Sequence, residues 1–327
     1  MSLNNLEYPD GEKARARWIM EQRGVKNPVD PRFPYAFLHE EEHGSDGDLW
    51  PTSVLFLTNR ECPYRCVMCD LWRNTLDTPT PPGAIPDQIL YALKRLPPSR
   101  QIKLYNAGSF FDPGAIPPSD YKDIARLVSD QERVIVESHP ALIGQRTLEF
   151  QAMISGKLEV ALGLETVHKE TLNRLNKRFT LQEFLESAQF LHKNAIALRS
   201  FLLVQPPFLR KEQSEGWVKR SLDTAFDAGS EVCSLIPVRG GNGAMESLVI
   251  SGSFTPPSLI SLEHVMEYGL NLGRGRVFAD LWEIERLFDC SCSQLRTARL
   301  AEMNRTQRAP EPIVCARCSE CHSGGVE

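Results

Sequence analysis

The sequence predicts an α/β protein: an open, partial (β/α)6 TIM-like barrel with an N-terminal helical extension and a cysteine-rich C-terminal extension. Three observations predict it. Short apolar runs alternate with helical patterns between residues 53 and 237, as the β–α units of a parallel sheet do. The runs end in polar or glycine residues, on the side where such sheets gather their chemistry. Six units are too few to close an eight-stranded barrel, so the sheet is expected to stay open.

Residues 1–50 read as the N-terminal extension, where Lys13, Arg15, Arg17, Arg23 and Lys26 suit a solvated helix face. The barrel is expected over 51–245. Its first strand, Ser53–Thr58, is an apolar run that leads directly into Cys62, Cys66 and Cys69. The proline-rich linker Asp77–Pro86 then stiffens the approach to a helix near Pro86–Leu96. Further strands are expected at Ile102–Asn106, Val134–Ser138, Leu158–Gly163, Leu198–Gln205 and Val232–Pro237. Helical patterns separate them near Asp120–Val128, Leu148–Ser155, Leu181–Asn194 and Glu212–Ala228. Thr180 and Glu183 form a capping box at the start of the Leu181 helix. Proline and glycine at 237–257 mark the change to the C-terminal extension, 246–327.

Apolar residues make up 42% of the chain, enough for a sizeable core. A formal charge of −5 argues against general nucleic-acid binding, which leaves a basic footprint. No run approaches a membrane span, and Met1–Asp10 lacks a basic-then-apolar signal. A cytoplasmic location with no membrane partner is therefore expected, where nine cysteines point to metal rather than disulfides. Eight of the nine fall in two groups, and Cys233, alone in an apolar strand, reads as a small buried residue.

The first group, Cys62-Pro-Tyr-Arg-Cys66-Val-Met-Cys69, has the spacing CxxxCxxC on one loop. Three thiolates with no local fourth imply an iron–sulfur cluster with one open iron, where a cofactor can bind and be reduced. The rival is a zinc knuckle that borrows a distant ligand. Strand ends carry Asn106-Ala-Gly108-Ser109, Glu137-Ser138-His139, Gly163-Leu-Glu165-Thr166 and Gln205-Pro-Pro. Gly108 lets backbone approach a ligand closely, and Glu137 and Ser138 suit ribose hydroxyls. Asp112 suits a cap for its Pro-Gly turn, and Glu231 a surface position.

Together with Asn176-Lys177-Arg178, these motifs resemble the radical S-adenosylmethionine (SAM) enzymes, in the group of the elongator catalytic subunit and the methylthiotransferases. Lys103–Ser109, Gln205–Leu209 and Asp289-Cys-Ser-Cys292 look most like the archaeosine-synthase type, and the resemblance covers roughly residues 50–295. It implies a [4Fe-4S] cluster on Cys62, Cys66 and Cys69, with SAM on the fourth iron. Gly108 and Ser109 would lie by its amino group, and Glu137 or Ser138 by its ribose. Tyr64, Met68, Asn106, Glu165 and Gln205 complete the expected cofactor contacts, with Met68 where an aromatic shield is usual. Glu165 and Glu137 are the candidate catalytic carboxylates. A reductase or ferredoxin-type electron donor is the expected partner.

The second group is Cys290-Ser-Cys292 and Cys315-Ala-Arg-Cys318-Ser-Glu-Cys321. It offers four thiolates to a structural zinc with one to spare, or holds an auxiliary iron–sulfur cluster. Arg296, Arg299, Arg305 and Arg308 line a helix between the two arms that is either solvated or presented to a phosphate backbone; His322 reads as a solvated tail residue. Three functions are compatible with these features. The first is radical modification of a tRNA nucleoside, the second the same chemistry on a small metabolite or natural-product intermediate. The third, a non-catalytic zinc-binding nucleic-acid module, leaves the strand-end motifs without a purpose.

Overall fold

A computed structural model describes residues 7–318. Among these, eight strands form one sheet in chain order: β1 Ala36–His43, β2 Leu49–Leu57, β3 Gln101–Asn106, β4 Arg133–Ser138, β5 Lys157–Glu165, β6 Ala197–Val204, β7 Val232–Pro237 and β8 Arg276–Ala279. β1 runs antiparallel to β2, and every later pair is parallel. The six expected strands are β2–β7. β1 joins them from before residue 51 and β8 from beyond residue 245.

The helices are α1 Glu12–Gln22, α2 Ala84–Leu93, α3 Tyr121–Leu127, α4 Gln145–Met153, α5 Lys169–Arg174, α6 Leu181–Lys193, α7 Lys211–Asp227, α8 Ala244–Ile250, α9 Leu259–Asn271 and α10 Ser293–Thr306. α6 opens on its capping box: Thr180 Oγ1 accepts the Glu183 amide at 3.3 Å, and the Glu183 carboxylate accepts the Thr180 amide at 2.6 Å. The outward side chains of the strands, among them Leu55, Leu104, Val136 and Val160, pack beneath Ile89, Ile124, Phe150 and Phe184 in one main core. Cys233 is fully buried there, as expected. No helix among the described residues is long and apolar enough to cross a membrane.

Toward the amino ends of β3–β8 the inside of the barrel is ionic rather than apolar. Lys103 lies 2.6 Å from Glu40 and from Glu42, and Arg199 lies 2.7 Å from Glu42 and 2.6 Å from Glu159. Arg133 bridges Glu159 and Glu231. Burial alone would raise the Glu42 carboxyl, but Arg199 and Lys103 hold it far below its usual range. This layer plugs one end of the barrel and leaves the carboxyl end as the mouth.

β1 and β8 do not pair, so the sheet is open, as expected. α10 lies in the seam against both strands. Side-chain amides at its end, from Asn304 and the capping residue Gln307, replace a missing neighbour for β8. Asn304 accepts the Ala279 N–H at 2.8 Å and donates to the Ala279 carbonyl at 2.9 Å; Gln307 does the same for Val277, at 2.7 and 2.9 Å. An edge satisfied in this way is closed to pairing with another chain.

Candidate functional site

The loop that leaves β2 carries the three cysteines across the barrel mouth, and three other strand-end segments hold it. Asn59 exchanges hydrogen bonds with Ala107 after β3, donating to its carbonyl at 3.1 Å and accepting its amide at 3.2 Å. After β5, the Leu175 carbonyl accepts the Val67 amide at 3.0 Å, and Asn176 donates to the Arg65 carbonyl at 2.8 Å. After β7, Asn242 donates to the carbonyls of Val67 at 2.8 Å and Cys69 at 3.1 Å. A second apolar core of Tyr8, Trp18, Ile19, Met245 and Leu248 packs on Val67, with Met68 against it. The N-terminal segment and α8 thus cover the loop from outside.

Glycine at 108 lets β3 approach this loop. A Cβ there would stand 3.0 Å from Cys62 Cβ and 3.2 Å from its sulfur, and the residue has φ +121°, which side chains rarely adopt. Gly108→Val should therefore displace Cys62. We expect loss of most bound iron from anaerobically purified protein with the circular-dichroism spectrum kept; full iron content would show that the approach is not needed.

The expected strand-end residues meet at the mouth. Ser109 and Ser138 share a hydroxyl hydrogen bond of 2.8 Å. Tyr64 stacks on His139 with ring centroids 3.8 Å apart. Asn106 is buried with neither carboxamide atom partnered, beside Gly108. Glu165 sits at a bulge of β5 in a left-handed conformation (φ +65°) and pairs with Lys177. A Cβ at Gly163 would collide with both members of that pair, so glycine there makes the pair possible. Glu137 ends β4 half-buried, and burial pushes its carboxyl up to about 8 against the pull of the Lys177 ammonium. Gln205 donates its amide to the Leu209 carbonyl at 3.0 Å, within its own turn. Asp112 caps its turn by accepting the Gly114 amide at 2.9 Å, as expected. Lys177 and the clamps Asn176 and Asn242 had no assigned role in the sequence. Asn-Lys after Gly-Leu-Glu-Thr, and a lone Asn among the glycines 240–243, were the available signals.

Burial also pushes up the three thiols, to about 11 for Cys62 and about 12 for Cys66 and Cys69. Near neutral pH such thiols become thiolates when a metal takes the proton's place. At the other end of the chain, Cys290, Cys292, Cys315 and Cys318 bring their sulfurs within 4.8 Å of one another. Arg296 Nε donates to Cys292 Sγ at 3.3 Å. Cys321 and His322 lie outside the described residues.

The arginine helix does not face a phosphate backbone along its length. Arg296 and Arg299 are buried, at 4% and 5% exposure. Both pair with Glu263, Arg299 also pairs with Glu267, and they donate to the carbonyls of Ile313 and Glu311. They fasten the tail to α9 and α10. Arg305 and Arg308 are exposed, and Arg305 pairs with Glu302 at 3.3 Å.

No family model matches the chain. It is 26% identical over 213 residues to archaeosine synthase subunit beta of Methanosarcina acetivorans, covering 62% of this chain and 60% of that protein. With the Thermococcus kodakarensis protein of the same name it shares 27% over 127 residues, 37% of this chain and 39% of that one. The chain thus spans less than two thirds of the length of the curated relatives it matches. In fold it is similar to methylornithine synthase (PylB), with TM-score 0.53 and 12% identity over 90% of this chain and 79% of that one. Elp3 of the archaeon Methanocaldococcus infernus follows, with TM-score 0.50 and 14% identity over 67% and 58%. In sequence and in fold the chain is similar to radical SAM proteins.

In a radical SAM protein the mouth described above has to accept an iron–sulfur cluster and a zwitterionic nucleoside, and its residues fit both. Cys62, Cys66 and Cys69, three free cysteines of one loop, suit a cluster that gives each cysteine its own iron. The unpartnered Asn106 carboxamide and the close-lying Gly108 backbone offer a donor and acceptors beside it.

Proposed function

We propose that the protein is a radical SAM enzyme that holds a [4Fe-4S] cluster on Cys62, Cys66 and Cys69, with SAM against Gly108, Ser109, Asn106 and Ser138. The observation that supports this best is the cysteine loop clamped at the barrel mouth by the ends of β3, β5 and β7. When bound, the cluster supplies an electron that splits SAM into methionine and a 5′-deoxyadenosyl radical, which takes a hydrogen from substrate. The protein positions and shields. Lys177 stands near Cys66 and Cys69 and offsets their negative charge while it holds Glu165 in place. Burial raises the Glu137 carboxyl to about 8, which favours the protonated form that donates a hydrogen bond. The N-terminal cover keeps water from the outer side of the loop. The electron comes from a reductase or ferredoxin-type donor in the cytoplasm.

As substrate we propose a nucleoside in tRNA, supported by two curated relatives that are archaeosine synthase beta subunits. The burial of Arg296 and Arg299 favours a second reading, a small metabolite, because it removes part of a phosphate-binding surface. Bulk tRNA decides between them. Affinity that falls steeply with salt supports the first reading, and no binding at low salt supports the second. For the tail cysteines we propose one zinc ion, since four sulfurs within 4.8 Å suit a single tetrahedral ion better than separate irons. Anaerobically purified protein should then hold about four irons and about one zinc per chain. Zinc without iron would overturn the enzyme reading.

A further inference from the structure

The inside face of the barrel changes character along its length. Below, Val54, Lys103, Ile135, Arg199, Val232 and Arg276 are buried. Two residues further along the strands, Phe56, Tyr105, Glu137, Phe201, Ser234 and Phe278 are all half-exposed. Solvent therefore reaches into the barrel as far as this level and stops there. The level is aromatic. Tyr105 on β3 meets Phe201 on β6 across the interior, with ring centroids 6.2 Å apart and planes at 85°. Phe56 lies 6.2 Å from Tyr105. Above the seam, Trp282 leaves β8 at its carboxyl end, 56% exposed, with its ring 6.1 Å from Phe56. An inward aromatic row that opens on an exposed tryptophan is the kind of platform on which nucleobases stack.

We propose that this aromatic floor and Trp282 form the chamber for the planar heteroaromatic base of the substrate nucleotide, with the Glu137 carboxyl as hydrogen-bond partner for the polar edge of that base. The inference rests on the reading of the mouth as a radical SAM site and names what enters it. Three features support it. The ionic layer directly beneath, with Lys103 and Arg199 under Tyr105, makes a rigid floor that a side chain of the substrate cannot pass. Ser234, beside Phe201 on the neighbouring strand, is small and leaves width for a ring, while the Lys177–Glu165 pair over Gly163 bounds the other side. Glu137 carries its carboxyl into the same level at the end of β4, the strand whose next residue, Ser138, bonds Ser109. A base lifted out of a nucleic-acid stack is recognised by such a combination, an aromatic platform and an in-plane polar group.

The test uses full-length, anaerobically reconstituted protein and bulk tRNA, measured across a salt series with Trp282→Ala and Phe201→Leu. Stacking carries no charge. Each variant should bind roughly 10-fold or more weakly while the slope of log affinity against log salt stays that of the wild type. Trp282 is exposed, so its variant keeps its melting temperature and serves where Phe201→Leu fails to fold. Glu137→Leu should weaken binding and Glu137→Gln should restore most of it, because the amide still donates. Unchanged affinity in both aromatic variants overturns the chamber, and so does wild-type protein that binds no tRNA. Iron content and 5′-deoxyadenosine release of the wild type are recorded in parallel. If they are intact, a failed chamber leaves the radical SAM reading standing; if they are absent, that reading falls by itself.

Discussion

Cys66→Ala should abolish 5′-deoxyadenosine release and remove most of the iron from anaerobically purified protein. Cys66 stands between the two carbonyls that clamp the loop, those of Arg65, bound by Asn176, and Val67, bound by Asn242. Alanine therefore changes the ligand without freeing the loop. Two thiolates remain, and the covered, apolar outer side of the loop offers no side chain to replace the third. The fold should survive, because the loop's backbone bonds do not involve the sulfur. The decisive readings are iron and sulfide analysis with product detection by chromatography. Release of 5′-deoxyadenosine at the wild-type rate would show that the cluster lies elsewhere.

The largest effect on stability is expected from Arg199→Met. Arg199 is 2% exposed and bonds both Glu42 and Glu159, themselves buried. Its removal leaves Glu42 to Lys103 and Glu159 to Arg133, so that two buried carboxylates each lose one of the cations that offset their desolvation. The cost is expected at about 3–5 kcal/mol, a large share of a stability of about 5–15 kcal/mol. The sign follows from desolvation, which methionine cannot offset. Adding Glu159→Gln should recover part of the loss, since Arg133 then keeps Glu231 and Glu42 keeps Lys103. Urea unfolding measures both variants. A single variant within about 1 kcal/mol of the wild type would mean that water reaches the plug.

The strands β2–β7 and the cysteine loop were legible because apolar period and spacing are local properties. β1 was not. Its sequence, Ala-Phe-Leu-His-Glu-Glu-Glu-His, looks like a solvated segment, and Glu40 and Glu42 turn inward only because Lys103 and Arg199 wait on other strands. β8 has four residues, too few to show a period. The arginines of α10 misled for the converse reason. Their partners Glu263 and Glu267 sit one helix earlier, and pairing across helices leaves no trace in composition. At the mouth, Ser109, Ser138 and Glu165 were visible as the polar ends of apolar runs. Clamps such as Asn242, which act on backbone carbonyls, were not.

Because the strands lie in the sheet in the order in which they occur in the chain, most pairings join near neighbours in sequence. Such a sheet can assemble progressively as the chain leaves the ribosome, each β–α unit docking on the one before it. Other contacts wait for the far end, among them the N-terminal cover on α8 and the Asn242 clamp on the cysteine loop. Glu42 meets Arg199 across 157 residues, and the His43 carbonyl accepts from Arg276 across 233. Until α10 arrives, β8 is an unprotected edge and the growing sheet is open to mispairing. Asn304 and Gln307 therefore have a kinetic role besides a structural one: Asn304→Ala together with Gln307→Ala should lower the yield of soluble protein more than it lowers the stability of the protein that folds.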